Sequence, residues 1–292
     1  MISKSPLKIA IASGKGGTGK TLLSTNLAAY LSEFEPTLLV DLDVEEPNDA
    51  LFVNAPLLST INQHKMIPVW NEQECILCGK CARVCKFHAV VRLGKTISVF
   101  NQLCHSCYAC SELCPTNALP MQTHKMGETR FFEKGNLSFI ESRLVVGEEQ
   151  AVPLINKTHS IAQQKYNHIK THLLDCPPGT SCPVVAATKD AHYVILVTEP
   201  TPFGLNDLAL AVETMRQLGK DFGVVINREG HGNSSVKEYC QREQIPVIAS
   251  IPFQREIAEL YSTGQLVYST IPAVRQALEQ IALVIKEKGA AR

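Results

Sequence analysis

The sequence predicts an α/β protein whose parallel sheet has helices on both faces. Six short runs rich in valine, isoleucine and leucine are expected to form buried strands, at residues 7–12, 37–43, 172–176, 192–198, 222–227 and 246–251. The amphipathic stretches that alternate with them have helical spacing and lie at residues 20–32, 204–219 and 273–288. Strands that are apolar on both faces and alternate with helices are typical of a parallel sheet covered on both sides.

One segment interrupts this alternation. Eight of the eleven cysteines lie between residues 75 and 114, where no strand and helix follow one another in the same rhythm. We therefore expect an inserted α+β domain at 65–124, and a main domain made of residues 1–64 and 125–292. Residues 128–149 alternate like the strands of a hairpin, at the margin between the two.

The composition narrows the class of protein. The 292 residues are 45% hydrophobic and carry 28 basic and 28 acidic side chains, so no global charge points to nucleic acid or membrane lipid. No run of about 18 apolar residues is present, so we expect no membrane span. The N-terminus leads straight into the first strand without room for a targeting peptide, so we expect a cytoplasmic protein. Thiols stay reduced there, and crowded cysteines then indicate metal rather than disulfides.

A glycine-rich loop follows the first predicted strand. Residues 14–21 read GKGGTGKT, which contains the pattern G-x-x-x-x-G-K-[ST] between a strand and a helix. The glycines let backbone N–H groups turn toward phosphate oxygens, and the following helix adds the positive end of its dipole. Lys20 can reach the β and γ phosphates, and the Thr21 hydroxyl can bind Mg²⁺. The predicted nucleotide-binding residues of this loop are Gly14, Lys15, Gly16, Gly17, Thr18, Gly19, Lys20 and Thr21.

The general pattern does not require Lys15. With it, the loop resembles the deviant Walker A motif of the ATPase superfamily that includes MinD, ParA, Mrp and the nitrogenase iron protein. The resemblance implies binding and hydrolysis of ATP with Mg²⁺. It also implies a nucleotide-sandwich dimer, either of identical chains or with a paralogue, in which Lys15 reaches the phosphates of the partner subunit. A cation there would act where negative charge develops during phosphoryl transfer, as Lys20 would within the subunit.

Two further motifs match this superfamily. Residues 38–48 (LLVDLDVEEPN) resemble its second strand, which implies that Asp43 orients the attacking water and that Asp41 lies near the magnesium. Two solvated carboxylates at the end of a strand are the alternative interpretation. Residues 172–181 (HLLDCPPGTS) resemble its Walker B and switch II segment, which implies that Asp175 holds Mg²⁺ through water.

The same resemblance assigns two more residues. Gly179, within the switch II segment, is expected to sense the γ-phosphate. Asn227, in the sequence INR at 226–228, is the implied adenine contact. The similarity extends over most of the chain outside the cysteine-rich segment.

The cysteine-rich segment contains an internal repeat. CILCGKCARVCK from Cys75 and CHSCYACSELCP from Cys104 share the spacing C-x2-C-x2-C-x3-C at an offset of 29 residues. Zinc sites usually use paired C-x2-C elements, whereas three closely spaced cysteines suit one cuboidal cluster. The segment therefore resembles a bacterial ferredoxin with two [4Fe–4S] clusters, and two zinc ions are the alternative. Lys86 follows Cys85 where the ferredoxin pattern has proline.

The ferredoxin resemblance implies which cysteines share a cluster. The first cluster would be held by Cys75, Cys78, Cys81 and Cys114. The second would be held by Cys85, Cys104, Cys107 and Cys110. Because all eight ligand places are filled, the nearby His88 and His105 are expected to lie at the surface or beside the ligands.

Basic residues surround these cysteines. Between residues 75 and 114, five lysines and arginines stand against one glutamate, a net charge of +4. This surface could dock an acidic redox or cluster-acceptor partner, or the charge could simply compensate anionic clusters.

Three cysteines and one helix lie outside these motifs. Cys176, Cys182 and Cys240 are each expected to be small buried thiols, with a transient bridging cluster as the alternative for Cys176 and Cys182. The helix at 273–288 is expected to pack on the sheet, although terminal amphipathic helices serve as membrane attachments in some relatives.

Three functions fit the combined pattern. The first is an ATPase for iron–sulfur cluster assembly or delivery. The second is an ATP-gated electron donor to a partner protein. The third is a nucleotide-switched positioning or interaction module in which the clusters are structural or sensory.

Overall fold

The computed structural model describes residues 5–291, and the chain forms two compact units. The first unit contains the residues up to Thr60, Thr129–Arg143 and the residues from Ile155 onward. The second unit contains Ile61–Glu128 and Leu144–Leu154. The second unit is thus slightly longer at both ends than the expected insertion at 65–124, and it includes a separate later segment.

Strands and helices alternate along most of the chain. The strands are β1 (Leu7–Ala12), β2 (Thr37–Asp41), β3 (Leu57–Pro68), β4 (Val90–Leu93), β5 (Thr96–Val99), β6 (Met121–Lys134), β7 (Leu137–Leu144), β8 (Thr171–Asp175), β9 (Tyr193–Thr198), β10 (Phe222–Glu229) and β11 (Val247–Pro252). The helices are α1 (Lys20–Ser32), α2 (Ala50–Val53), α3 (Lys80–Val84), α4 (Ala109–Glu112), α5 (Ala151–Lys165), α6 (Cys182–Thr188), α7 (Pro202–Gln217), α8 (Ser235–Arg242), α9 (Arg255–Ser262) and α10 (Pro272–Ala290). A short 3-10 helix spans Asn101–Leu103.

Nine strands form one sheet in the order β11-β10-β9-β1-β8-β2-β7-β6-β3. The strands from β11 to β7 pair in parallel, as the buried runs of the sequence predict. β6 and β7 are joined only by Gly135 and Asn136, a connection that makes them an antiparallel hairpin. The protein is therefore an α/β protein with a mostly parallel sheet.

The core of the first unit explains why both faces of the sheet are buried. In β1, Leu7, Ile9 and Ile11 pack into a cluster with residues of α1 and α10. The alternate residues Ala10 and Ala12 point to the opposite face and are also buried. A strand buried on both sides needs apolar side chains at every position, which is why its sequence shows no polar alternation.

The last long helix packs on the sheet. Its apolar residues at 274, 278, 281 and 285 lie in the same core cluster as β1, which confirms the packing predicted for the stretch 273–288. No helix among residues 5–291 is long and apolar enough to cross a membrane.

The hairpin near residue 135 forms where the alternation of residues 128–149 predicts it, and the boundaries between the two units fall at 128/129 and 143/144. β7 also pairs in parallel with β2, with Leu39 opposite Phe139, so the hairpin extends the parallel sheet, which the alternation did not indicate. Phe139 and Ile140 are completely buried. The sequence patterns also gave no sign of the edge strand β3 or the helix α5.

The second unit has its own small core, which includes several cysteines. Cys81 and Cys110 are buried with Val90, Ile97 and Leu119, and Cys104 is buried with Ile67 and Ala89. β4 and β5 form a separate antiparallel pair in this unit. Lys65 and Glu148 form a buried ion pair at 2.7 Å, with each side chain 3% exposed.

Candidate functional site

The predicted phosphate loop and the acidic residues meet at one edge of the sheet. β1 ends at Ala12 and leads into the loop, while β2 and β8 end at Asp41 and Asp175. Asp41 stands opposite Asp175 in the parallel register. Because the carboxyl ends of parallel strands share an edge, residues more than 130 positions apart come together there.

Two positions of the loop have no room for a side chain. Gly19 has φ +101°, and a Cβ there would collide with the side chain of Asn227. A Cβ at Gly14 would collide with the backbone carbonyl of Asp207, because the loop lies against α7. Asn227 Nδ2 donates a hydrogen bond to the Thr18 carbonyl at 2.8 Å. Asn227 therefore supports the loop through its own side chain.

α1 begins at Lys20, directly after the loop, and presents two polar side chains to the acidic residues. The Thr21 hydroxyl donates to Asp175 Oδ2 at 3.1 Å. The Lys20 side chain is buried, and its charge opposes the effect of burial on the pKa of Asp175, which remains above its usual range. Threonine hydroxyl and aspartate therefore lie within hydrogen-bonding reach, as a shared magnesium site requires.

Asp41 organises the chain that follows β2. Its Oδ1 accepts a hydrogen bond from the backbone N–H of Asp43 at 3.0 Å, and its Oδ2 accepts from Asn48 at 3.1 Å and Asp49 at 3.3 Å. Burial and then the neighbouring Asp175 raise the pKa of Asp41. These three bonds fold the 43–49 segment back over the end of its own strand.

Asp43 lies beside the phosphate loop in a less enclosed position. Burial raises its pKa to about 6, although the charge of Lys20 opposes the shift. A carboxylate whose pKa lies near neutrality and that stands beside the phosphate-binding lysine is suited to accept a proton or a hydrogen bond from water.

Asp49 is a buried acid that the sequence motifs did not single out. It is completely buried, and neither of its carboxyl oxygens accepts a hydrogen bond from the described N–H and O–H groups. Burial and then Asp175 raise its pKa, and the two carboxyls can hydrogen-bond to each other only when one carries a proton. In sequence, Asp49 looks like one more acid in a polar loop, so only the fold could reveal it.

Lys15 makes an ion pair within its own subunit. Its Nζ lies 2.6 Å from Glu199 Oε1, and the other oxygen of Glu199 accepts from Arg228 Nη1 at 2.9 Å. Burial raises the pKa of Glu199, but Lys15 and Arg228 lower it by more, so it lies below its ordinary value. Glu199 and Arg228 were also absent from the predicted site, since isolated charges at strand ends are usually solvated.

The switch II segment is hydrogen-bonded to the residue that follows β1. The Gly179 backbone N–H donates to the Ser13 carbonyl at 3.0 Å, and Gly179 has φ +94°. Cys176 is completely buried, and burial raises the pKa of its thiol. Cys240 is also buried, whereas Cys182 is exposed at the start of α6. The expectation of a buried thiol was therefore wrong for Cys182, because the helix N-terminus turns it outward.

The eight cysteines of the second unit line two separate cavities, four to each. One cavity is lined by Cys75, Cys78, Cys81 and Cys114. The other is lined by Cys85, Cys104, Cys107 and Cys110. These are the two sets that the ferredoxin resemblance implies, and each contains three cysteines from one repeat and one from the other.

The two cavities are alike in size and in the character of their walls. Each is small, with a volume of about 10 Å³ for the first and about 20 Å³ for the second. Ile97 and Leu119 also line the first cavity, and Val90 and Met121 also line the second. Burial raises the pKa of the Cys110 thiol to about 11. A bound metal cluster would have to offset this cost of forming a thiolate.

Backbone N–H groups face one of the sulfurs. The Ala118 N–H donates to Cys114 Sγ at 3.2 Å. Burial alone would raise the pKa of Cys114, but this bond and the contact with Thr116 bring it below its ordinary value. Hydrogen bonds to sulfur are one of the means by which proteins stabilise thiolate ligands. His88 and His105 are exposed, in agreement with the predicted surface position.

No group of three or more His, Cys, Asp and Glu side chains in the part of the chain that the structure describes is placed to hold a metal ion. The cysteine sets surround cavities instead. The five basic residues between residues 75 and 114 all lie on the surface: Lys80, Arg83, Lys86, Arg92 and Lys95.

Comparisons with known proteins agree with this geometry. A family model described as the CobQ/CobB/MinD/ParA nucleotide binding domain matches residues 9–267. An uncharacterized protein of Methanocaldococcus jannaschii, MJ0579, is 32% identical over 279 residues, which cover 94% of this chain and 96% of the relative. An iron–sulfur cluster carrier protein of Pyrococcus horikoshii is 21% identical over 296 residues, 93% of this chain and 83% of the relative.

A solved structure has the same fold. The septum site-determining protein MinD of Pyrococcus horikoshii, complexed with Mg-ADP, superimposes with a TM-score of 0.60. The match covers 97% of this chain and 98% of that protein at 19% identity. At this identity the similarity shows the P-loop α/β fold.

Proposed function

Since the chain belongs to the CobQ/CobB/MinD/ParA nucleotide-binding family, we propose that it hydrolyses ATP and couples its nucleotide state to two [4Fe–4S] clusters. The observation that carries this proposal is the pairing of two sites in one chain. A phosphate loop with buried acids lies in the first unit, and two cavities with four cysteines each lie in the second.

In the nucleotide site, the loop residues from Gly14 to Thr21 would bind the phosphates. Thr21 and Asp175, already 3.1 Å apart, would hold Mg²⁺, and Asp41 would stand behind them as a buried support. The charge of Mg²⁺ would offset the electrostatic repulsion between the buried carboxylates. Lys20 would bind the β and γ phosphates, and Asp43 would orient the attacking water.

The cysteine sets fit a cuboidal cluster better than a single ion. A [4Fe–4S] cluster is wider than one metal ion, so its four thiolates stand around a cavity instead of converging on a point. Cys75, Cys78, Cys81 and Cys114 would hold one cluster, and Cys85, Cys104, Cys107 and Cys110 the other. Such clusters supply one-electron chemistry at potentials set by burial and hydrogen bonding.

The basic surface of the second unit supports an acidic partner. The five basic residues between 75 and 114 are exposed, and Arg83 Nη1 donates to the Cys78 carbonyl at 3.0 Å, next to a cluster ligand. Because water screens exposed charges, these side chains offset the negative charge of a buried cluster only weakly. The same exposed charges attract an oppositely charged partner during association. We therefore propose an acidic cluster acceptor or redox protein as the partner.

The most direct role is iron–sulfur cluster assembly or delivery. It is supported by the carrier proteins among the relatives of this chain, in Pyrococcus horikoshii and Aquifex aeolicus. In this role ATP turnover in a nucleotide-sandwich dimer would drive transfer of a cluster to an acceptor.

Burial of three of the eight cysteines favours a second role, as an ATP-gated electron donor. Cys81, Cys104 and Cys110 are each at most 8% exposed and pack among aliphatic side chains. Ligands held in a core release a cluster only when that core opens, whereas electrons leave without any rearrangement of the ligands.

The proposal is tested by metal content and hydrolysis in the anaerobically purified protein. We expect about eight iron atoms and eight sulfides per chain, together with Mg²⁺-dependent ATP hydrolysis. Lys20→Ala should abolish hydrolysis and keep the iron, while Cys81→Ala should lose about half of the iron and still bind ATP. About two zinc ions per chain without iron, or no ATP binding, would contradict the proposal.

A further inference from the structure

Lys15, the lysine that distinguishes the deviant Walker A motif, forms an ion pair in this structure. Lys15 Nζ lies 2.6 Å from Glu199 Oε1, and its side chain is 31% exposed while that of Glu199 is 11% exposed. Arg228 holds the other oxygen of Glu199 at 2.9 Å and also donates from Nη2 to the Gly17 carbonyl at 3.3 Å. All four residues belong to the first unit, so the pair lies within one subunit.

Glu199 is a fixed anchor. It follows β9, and its carbonyl accepts a hydrogen bond from the Thr201 N–H at 2.8 Å. The Thr201 side chain caps α7 by accepting from the Gly204 N–H at 3.0 Å. A Cβ at Gly204 would collide with the Glu199 carbonyl, so the cap needs glycine there. Glu199 is therefore held by a tight helix cap, whereas Lys15 has a long side chain on a flexible stem.

Arg228 lowers the cost of releasing Lys15. When the lysine leaves, Glu199 still keeps a guanidinium on its second oxygen, so no bare carboxylate remains in a mostly buried position. A glutamate with only one partner would instead resist release strongly. The triad therefore has the properties of a reversible contact rather than a permanent structural ion pair.

We propose that Glu199 is a positioning residue that holds Lys15 on its own subunit until the phosphates of a second subunit compete for it. The inference rests on the proposed function, in which two chains enclose nucleotide and Lys15 reaches across. Each subunit thus carries a carboxylate, that of Glu199, which competes with the partner's phosphates for Lys15. Glu199 thereby sets the protein and ATP concentrations at which the dimer forms, and it keeps Lys15 away from its own nucleotide in the monomer.

The test compares dimerisation of the wild type with that of Glu199→Gln, which keeps the shape of the side chain and removes its charge. The full-length protein is titrated by sedimentation with Mg²⁺ and a non-hydrolysable ATP analogue. We expect Glu199→Gln to dimerise at an about tenfold lower protein concentration, equivalent to about 1.4 kcal/mol. Glu243→Gln is the matched control, because it breaks a glutamate–arginine pair with Arg216 elsewhere on the molecule, and it should dimerise like the wild type.

A double-mutant cycle isolates the role of Lys15. In the Lys15→Ala background, Glu199→Gln should produce no further change, because the contact it removes is already gone. A general effect on folding or on the base side of the site would persist in that background. Equal or weaker dimerisation of Glu199→Gln, or a shift that survives Lys15→Ala, would overturn the inference.

A prior measurement separates this inference from the proposed function. Binding of the ATP analogue to the wild type is measured first, together with its dimerisation. Failure of the wild type to bind or to dimerise would overturn the nucleotide-sandwich proposal and the inference with it. Normal binding and dimerisation without an effect of Glu199→Gln would overturn the inference alone.

Discussion

Replacement of Gly19 by alanine tests the geometry of the phosphate loop. Gly19 has φ +101°, a region that costs a residue with a Cβ about 1–2 kcal/mol. The new Cβ would also displace Asn227 and break its 2.8 Å hydrogen bond to the Thr18 carbonyl, worth about 1 kcal/mol. If the loop rearranges to relieve this strain, nucleotide affinity should fall by about 2–3 kcal/mol, or about 30- to 150-fold in Kd.

The assay is fluorescence titration with a labelled ATP analogue and Mg²⁺. The matched control is Gly135→Ala, at a turn where φ is +59° and no atom lies within 4 Å of the added Cβ. That variant carries backbone strain alone, away from the loop, and should bind nucleotide like the wild type. Binding of Gly19→Ala at wild-type affinity would refute the assignment of this loop to phosphate.

Three further predictions follow from the site and from burial. Cys81→Ala and Cys110→Ala should each lower the iron content to about four atoms per chain, and the double variant should hold almost none; loss of all iron in either single variant would contradict two separate sites. Thr21→Val should raise the Mg²⁺ concentration for half-maximal hydrolysis by about tenfold, or about 1.4 kcal/mol, and an unchanged requirement would remove Thr21 from the metal site. Burial lowers the pKa of His159 to about 4, so the unfolded chain takes up that proton first and stability is lost as pH falls from about 6.5 toward 4. In urea unfolding, the difference in the free energy of unfolding between pH 7.5 and pH 4.5 should be smaller in His159→Gln than in the wild type, by up to about 3 kcal/mol. An equal difference in the two proteins would argue against a buried neutral histidine.

The sequence was informative where local signals and buried runs coincide. The first strand and helix begin and end at the predicted residues 7–12 and 20–32, because apolar runs and the glycine loop mark their limits. The glycine pattern depends on backbone conformation, which is encoded locally. The spacing of the cysteines is also local, and the two sets of four that the ferredoxin resemblance implies do line two cavities.

Long-range neighbours could not be foreseen in the same way. The parallel pairing of β7 with β2 joins segments about 100 residues apart, and the alternation of residues 128–149 predicted a hairpin without indicating this partner strand. Glu199 and Asp49 look like ordinary surface acids until the fold brings them to Lys15 and Asp175. Cys176 and Cys182 look alike in sequence. Cys176 directly follows the end of β8 and is buried, whereas Cys182 is the first residue of α6 and is exposed.

Coupling between the two sites is tested most directly by following iron and electrons together. The protein is loaded with isotopically labelled iron under exclusion of oxygen and reduced. It is then mixed with Mg²⁺-ATP, an apo-[4Fe–4S] acceptor protein and a low-potential redox dye. We expect ATP to accelerate the departure of label or of electrons, and Lys15→Ala to abolish the acceleration. Label in the acceptor would identify a cluster carrier, and reduction of the dye with the label retained would identify an electron donor. Rates that do not respond to ATP would contradict the coupling.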